Sequence, residues 1–169
     1  MDLIKKLKNI DYDKFEYIDL IEIKRKTLDA LRLKEPQPQG KITCPREATE
    51  FLKEMEAEEE EYLKVIYINA RSQIIKKETL TKRTSNQTLI SSGDITRKAL
   101  LTKGTSGVIV AHNHPSGIAD PSADDKISTE QLKKALKTLD LQLIDHIIIC
   151  ENEYFSFKES GMLWIKKTK

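Results

Sequence analysis

No stretch of this sequence approaches the ~18 consecutive apolar residues that a membrane-spanning helix needs. No long apolar segment follows its first residues, Met1-Asp2-Leu3-Ile4-Lys5-Lys6. A membrane anchor and a secretory leader are therefore not expected, and the chain reads as cytoplasmic. Cysteine is scarce. Cys44 and Cys150 lie far apart, and neither has a C-x-x-C partner. That excludes a cysteine-built zinc finger and argues against a disulfide framework. Charge of one sign is lacking too: 29 basic and 27 acidic residues leave a net charge of only +2. Such a balance is no footprint for nucleic acid. Internal repeats are also absent.

What is there is enough for one domain with a buried core, since the chain has 169 residues. Its charge is uneven: Glu58-Glu59-Glu60-Glu61 closes an acidic stretch, and Lys166-Lys167-Thr168-Lys169 is a basic tail. Runs of this kind are usually solvated faces. The stretch from Lys34 to Gly40 sets two prolines and a glycine among polar residues and reads as a linker. It divides residues 1–40, an N-terminal arm or small subdomain, from a domain over residues 41–169. In the arm, Leu3, Ile4, Leu7 and Ile10 recur at helical spacing over a short span.

After the linker, helices and strands alternate. Thr43-Cys44-Pro45 suits a helix start, and Ala48, Phe51, Leu52 and Met55 form its apolar stripe. That helix is expected to end within the glutamate run. Tyr62–Asn69 and Gln73–Leu80 suit two antiparallel strands, with a weaker strand near Thr88–Ile90. Ser92 or Asp94 is expected to cap a helix reaching about Lys103, with Ile95, Ala99 and Leu100 inward. Gly107–His112 reads as a central strand. A helix from Ser122 to about Leu139 follows, with Leu132, Ala135, Leu136 and Leu139 as its stripe. Leu143–Ile149 suits a buried strand and Tyr154–Phe157 an edge strand. The order predicts an α/β (α+β) domain with a mixed sheet flanked by helices.

The chemistry concentrates in residues 108–125. An apolar run ends in His112, and His114 follows two places later, on the same strand face. Pro115 and Gly117 break the strand. Ser122 restarts regular structure, and Asp125 lies about one helical turn into it. Two imidazoles and a carboxylate make a three-ligand site of the kind that holds catalytic zinc and leaves a fourth position for water. Ser122-x-x-Asp125 is also a helix-capping pair. His146, inside an apolar run, reads as a satisfied core histidine rather than a third imidazole ligand, with Asp145 beside it as a supporting group.

The pattern His112-x-His114-x7-Ser122-x-x-Asp125 resembles the signature of the JAB/MPN (JAMM) metalloproteases. His112-Asn113-His114-Pro115-Ser116-Gly117, Pro121-Ser122, Leu143-Ile144-Asp145-His146 and Tyr154-Phe155-Ser156-Phe157 with Gly161 are similar to its RadC-like branch, over about residues 40–163. The resemblance implies a cytidine-deaminase-like sheet flanked by helices. It implies zinc held by His112, His114 and Asp125, with Ser122 bonding the oxyanion. It also implies a glutamate general acid/base just before the first strand. Glu61 is that residue, with Glu60 the alternative, because a one-residue slip reverses the face of a strand.

The expected function is zinc-dependent hydrolysis of a peptide or isopeptide bond in an unknown peptide or protein substrate. A non-catalytic JAB/MPN scaffold and a DNA-repair-associated protein are the alternatives. Direct nucleic-acid binding is not supported by the near-neutral charge, and residues 1–43 carry no Gly-x-Gly hairpin pattern. An exposed edge at Tyr154–Phe157 leaves an oligomer open.

Overall fold

Leu63, Val65 and Tyr67 point to one side of strand β1 (Tyr62–Ile68), and Ile66 and Ile68 to the other. A strand that is apolar on both faces must be covered on both. The computed structural model describes residues 39–82 and 90–163. In it β1 lies inside a five-stranded sheet with β2 (Ile74–Lys82), β3 (Gly107–Asn113), β4 (Gln142–Cys150) and β5 (Glu153–Ser156), ordered β2-β1-β3-β4-β5. Only the β3–β4 pair is parallel. The sheet is mixed, as expected, with β3 at its centre and β5 at its edge.

Helix α1 (Pro45–Phe51) and a 3₁₀ helix (Lys53–Ala57) cover one face. There Ala48, Leu52 and Met55 pack on Ile66, Ile109, Ala111, Ile147 and Ile149. Helices α2 (Ser92–Leu101) and α3 (Ala123–Lys137) cover the other. Ile95, Ala99, Leu132 and Leu136 meet Leu63, Val65, Val108 and Val110. α3 is the crossover between the parallel strands β3 and β4, so its N-terminus lies near the carboxyl end of β3. Among the described residues no helix is long and apolar enough to cross a membrane.

β4 breaks strict alternation. Val108 pairs with Leu143, but Ile109 pairs with Asp145, so Ile144 is an extra residue. Ile144 lies against Gly107, where a Cβ would sit 2.7 Å from its Cγ1. Leu143 packs on the α2/α3 face. Simple alternation from it would place Asp145 there and His146 opposite. The bulge reverses the phase and turns His146 toward α3.

Several expected boundaries shift. The first helix tightens into a 3₁₀ turn and stops at Ala57, before the glutamate run. Ser91, rather than Ser92 or Asp94, caps α2: its hydroxyl accepts the Asp94 N–H at 3.3 Å. Leu100 is 56% exposed, because Ile95, Thr96 and Ala99 set the buried stripe and Leu100 falls past its edge. Leu139 is 42% exposed, since α3 stops at Lys137 and Leu141 takes the inward place. Residues 1–38 of the arm, and residues 88 and 89 of the weak strand, lie outside the described residues.

Glu54 ties the 3₁₀ helix to the sheet, accepting from Lys77 Nζ at 2.7 Å and Lys64 Nζ at 3.1 Å. Burial would raise its pKa. The Lys77 bond, a backbone bond and Lys64 outweigh that and bring it to about 2. A depressed folded pKa gives stability that is complete above the ordinary value of 4.5 and is lost as pH falls toward about 2. Glu54→Gln is therefore expected to flatten the acid limb of stability against pH between those values, as read from urea midpoints across a pH series.

Candidate metal centre

The antiparallel pairing of β1 with β3 sets Leu63 opposite His112. Continuing that register by two places sets Glu61 opposite His114. Residues two apart share a strand face, so Glu61, His112 and His114 lie on one side. Their ligand atoms fall within 4.8 Å of one another. Glu60 points elsewhere: its carboxylate accepts from the Tyr62 hydroxyl at 3.2 Å. Of the two glutamates, the structure brings Glu61 to the histidines.

Asp125 arrives from α3. Its carboxylate stands 3.5 Å from His112 Nε2 and 3.8 Å from His114 Nε2, and the two Nε2 atoms are 3.0 Å apart. His112 and Asp125 are both buried. Ser122 and Asp125 form a reciprocal cap at the start of α3. Ser122 Oγ accepts the Asp125 N–H at 3.1 Å and donates to Asp125 Oδ2 at 2.6 Å, and the Ser122 N–H donates to Oδ2 at 2.9 Å. Burial works to raise the Asp125 carboxyl. His112 beside it, the two Ser122 bonds and His114 outweigh burial and hold it below its ordinary value.

These residues fit a metal ion. His114 Nδ1 lies 2.8 Å from the Ile118 carbonyl, which can only accept. The proton is therefore on Nδ1, and His114 Nε2 turns a lone pair toward His112 and Asp125. Tetrahedral coordination with bonds of ~2.0–2.1 Å spaces neighbouring donors about 3.3 Å apart. The two Nε2 atoms at 3.0 Å and Asp125 Oδ1 at 3.5 Å from His112 Nε2 bracket that value, while the oxygen 3.8 Å from His114 Nε2 is Oδ2, the one that also takes the Ser122 bonds. A groove of about 360 Å³, lined in part by Asn113, His114 and Gly117, opens beside His114. A larger one of about 480 Å³, lined by Arg46, Lys53 and Tyr154 among others, holds none of the site residues.

The family model of the RadC-like JAB domain matches residues 42–162. The chain belongs to the RadC-like JAB domain family. It is 39% identical to UPF0758 protein YeeS of Escherichia coli K12 over 145 residues, covering 85% of this chain and 95% of that protein. It is 43% identical to a UPF0758 protein of Thermotoga maritima over 113 residues, covering 67% of this chain and 50% of that protein. A UPF0758 protein of Aquifex aeolicus is 39% identical over 122 residues, covering 72% and 52%. The chain thus spans about half the length of the last two relatives.

Four further residues of this RadC-like JAB domain surround the site, and two of them, Asn113 and Thr129, were not read from the sequence. Asn113, between the two histidines, faces the opposite side of β3. Its Oδ1 accepts the Tyr62 N–H at 2.8 Å, and its Nδ2 donates to the carbonyls of Glu60 and Glu58 at 2.9 and 3.2 Å. One carboxamide thereby clamps the backbone on both sides of Glu61. The signal was available, because a polar residue on the inward face of a buried strand needs partners. His146 is a buried, satisfied core histidine as expected, but its Nε2 is 2.8 Å from His112 Nδ1. Burial, then His112 and His114, drive its pKa well below the ordinary 6.5, so it is neutral. Its ring stacks on Phe157 at 4.6 Å, and Thr129 of α3 meets its Nδ1 at 2.6 Å. Asp145 stays one step back. It accepts from Ser156 Oγ at 2.6 Å and from the Lys158 and His146 N–H groups at 2.9 and 2.8 Å. Ser116 belongs to the turn in which the Gly117 N–H reaches the His114 carbonyl.

Asn113→Ala strips partners from three backbone groups at the start of β1. It is expected to lower stability by about 1–3 kcal/mol and to collapse hydrogen-exchange protection of the Tyr62 amide. Protection at the centre of β1, at Val65, is expected to hold to within the global loss.

Proposed function

We propose that this RadC-like JAB domain is a zinc-dependent amide hydrolase acting on a peptide or protein. The convergence of His112 Nε2, His114 Nε2 and the Asp125 carboxylate, with Glu61 beside them, carries the proposal. His112, His114 and Asp125 would hold the ion. When bound, zinc supplies an acidified water and a Lewis acid for a carbonyl. Imidazole and carboxylate donors suit zinc, and a thiolate is not required.

The chain's own residues divide the remaining work. Glu61 accepts the proton of the attacking water and returns it to the departing amine nitrogen. The Asn113 clamp fixes the backbone that carries Glu61, which limits the distance error that such a transfer tolerates. The Ser122 hydroxyl is the donor nearest Asp125. Its single proton goes to Asp125 here. A developing oxyanion, more basic than a capped carboxylate, would compete for that proton and draw the hydroxyl across. The near-neutral charge of the chain supports a peptide rather than a nucleic acid as substrate.

Elemental analysis after zinc loading tests the ligand set. About one zinc per wild-type chain is expected, with loss in His114→Ala and in Asp125→Ala. Glu61→Gln is expected to keep its zinc and to lose about 10²–10⁴-fold in peptide turnover, the usual worth of a general acid/base. No zinc in the folded wild-type protein would sink the metalloprotease reading. Zinc without turnover of any peptide in a diverse library would leave a metal-bearing scaffold.

A further inference from the structure

We infer that Thr129 and His146 are positioning residues that set which nitrogen of His112 carries its proton, and so hold its Nε2 lone pair ready for a cation. The inference rests on the metal-centre reading above. It follows from counting protons along one chain of contacts. Thr129 Oγ1 touches the Asp125 backbone carbonyl and, at 2.6 Å, His146 Nδ1. The carbonyl has no proton to give. An oxygen-to-oxygen contact that close is attractive only if the hydroxyl proton lies in it. Thr129 has one proton, so toward His146 it can only accept.

His146 must then carry its proton on Nδ1. The ring is fully buried and stacked on Phe157. With one proton placed, its Nε2 is a lone pair. At 2.8 Å that lone pair takes the proton of His112 Nδ1. His112 Nε2 then carries a lone pair and no proton, 3.0 Å from His114 Nε2, which is unprotonated for its own reason, the Ile118 carbonyl. Two lone pairs and a carboxylate then face one point, and only a positive charge there makes the arrangement favourable. The chain begins at the main chain of one ligand, Asp125, and ends on the ring of another, His112. Partners of this kind fix the ring orientation and tautomer of a ligating histidine. Here the partner is itself a histidine, held by a hydroxyl in place of the usual carboxylate or carbonyl.

Thr129→Val keeps the shape of the side chain and removes the hydroxyl. His146 loses the acceptor on its Nδ1 side, its proton is free to move to Nε2, and the His112 proton is driven to the metal side. Imidazole ¹⁵N spectra of metal-free protein at mildly alkaline pH are expected to show His112 protonated on Nδ1 in the wild type and shifted toward Nε2 protonation in Thr129→Val. Zinc affinity by chelator competition is expected to fall ~10–100-fold in Thr129→Val. Thr129→Ser, which keeps the hydroxyl, is expected to restore both readouts. A wild-type His112 protonated on Nε2 would overturn the inference. So would a Thr129→Val variant with unchanged tautomer and affinity, or a folded Thr129→Ser that rescues neither. If the wild type binds no zinc, the metal reading falls, and the spectra of the metal-free protein still decide this one.

Discussion

The register of β1 against β3 is the constraint from which the site descends. Leu63 faces His112 because five further backbone pairs, Lys64 with Ala111 through Ile68 with Gly107, fix the two strands relative to each other. That register is held by apolar contacts on both faces of the sheet. A slip by one residue would send every side chain of β1 to the wrong layer, at the cost of the whole core. The position of Glu61 beside the histidines is therefore fixed by packing that lies away from the chemistry.

The second constraint is the parallel step from β3 to β4. It demands a crossover, and α3 provides it, so the start of a helix meets the carboxyl end of a central strand. Ligand sites in open α/β sheets gather outside the carboxyl ends of strands. Here that crevice receives a strand residue (His112), a turn residue (His114) and a helix residue (Asp125). A buried polar layer stands behind them, running from Thr129 through His146 to the stacked Phe157.

Much of this was legible in the sequence. Period-two spacing put His112 and His114 on one face, the Ser-x-x-Asp spacing announced the cap at Ser122, and the apolar runs gave the strands in order. What was not legible depended on pairing. Glu60 and Glu61 are indistinguishable until the β1–β3 register is known. His146 read as a core residue because it lies inside an apolar run, and it is one; its contact with His112 depends on the bulge at Ile144, since strict alternation from Leu143 would turn it away from α3. Thr129 sits one helical turn beyond Asp125, on the same face, but nothing in its spacing said that a histidine would meet it. The helix ends shifted by a few residues for local reasons. Ser91 offered a hydroxyl one place earlier than Ser92, and Leu141 could reach the core where Leu139 could not.

Asp125 holds two offices at once. It is the third residue of a helix and closes the cap with Ser122 through Oδ2, and its other oxygen, Oδ1, faces His112. Folding alone has thus immobilised this carboxylate, and a ligand arriving there finds a stationary donor whose rotamer entropy is already spent. The traffic runs both ways. A cation that binds the folded chain and not the unfolded one deepens the native well by mass action, and it does so at the first turn of α3, where a helix otherwise frays. Occupancy of the centre and integrity of that turn become one equilibrium, so the loss of an ion would be felt first as a loosening of the crossover helix.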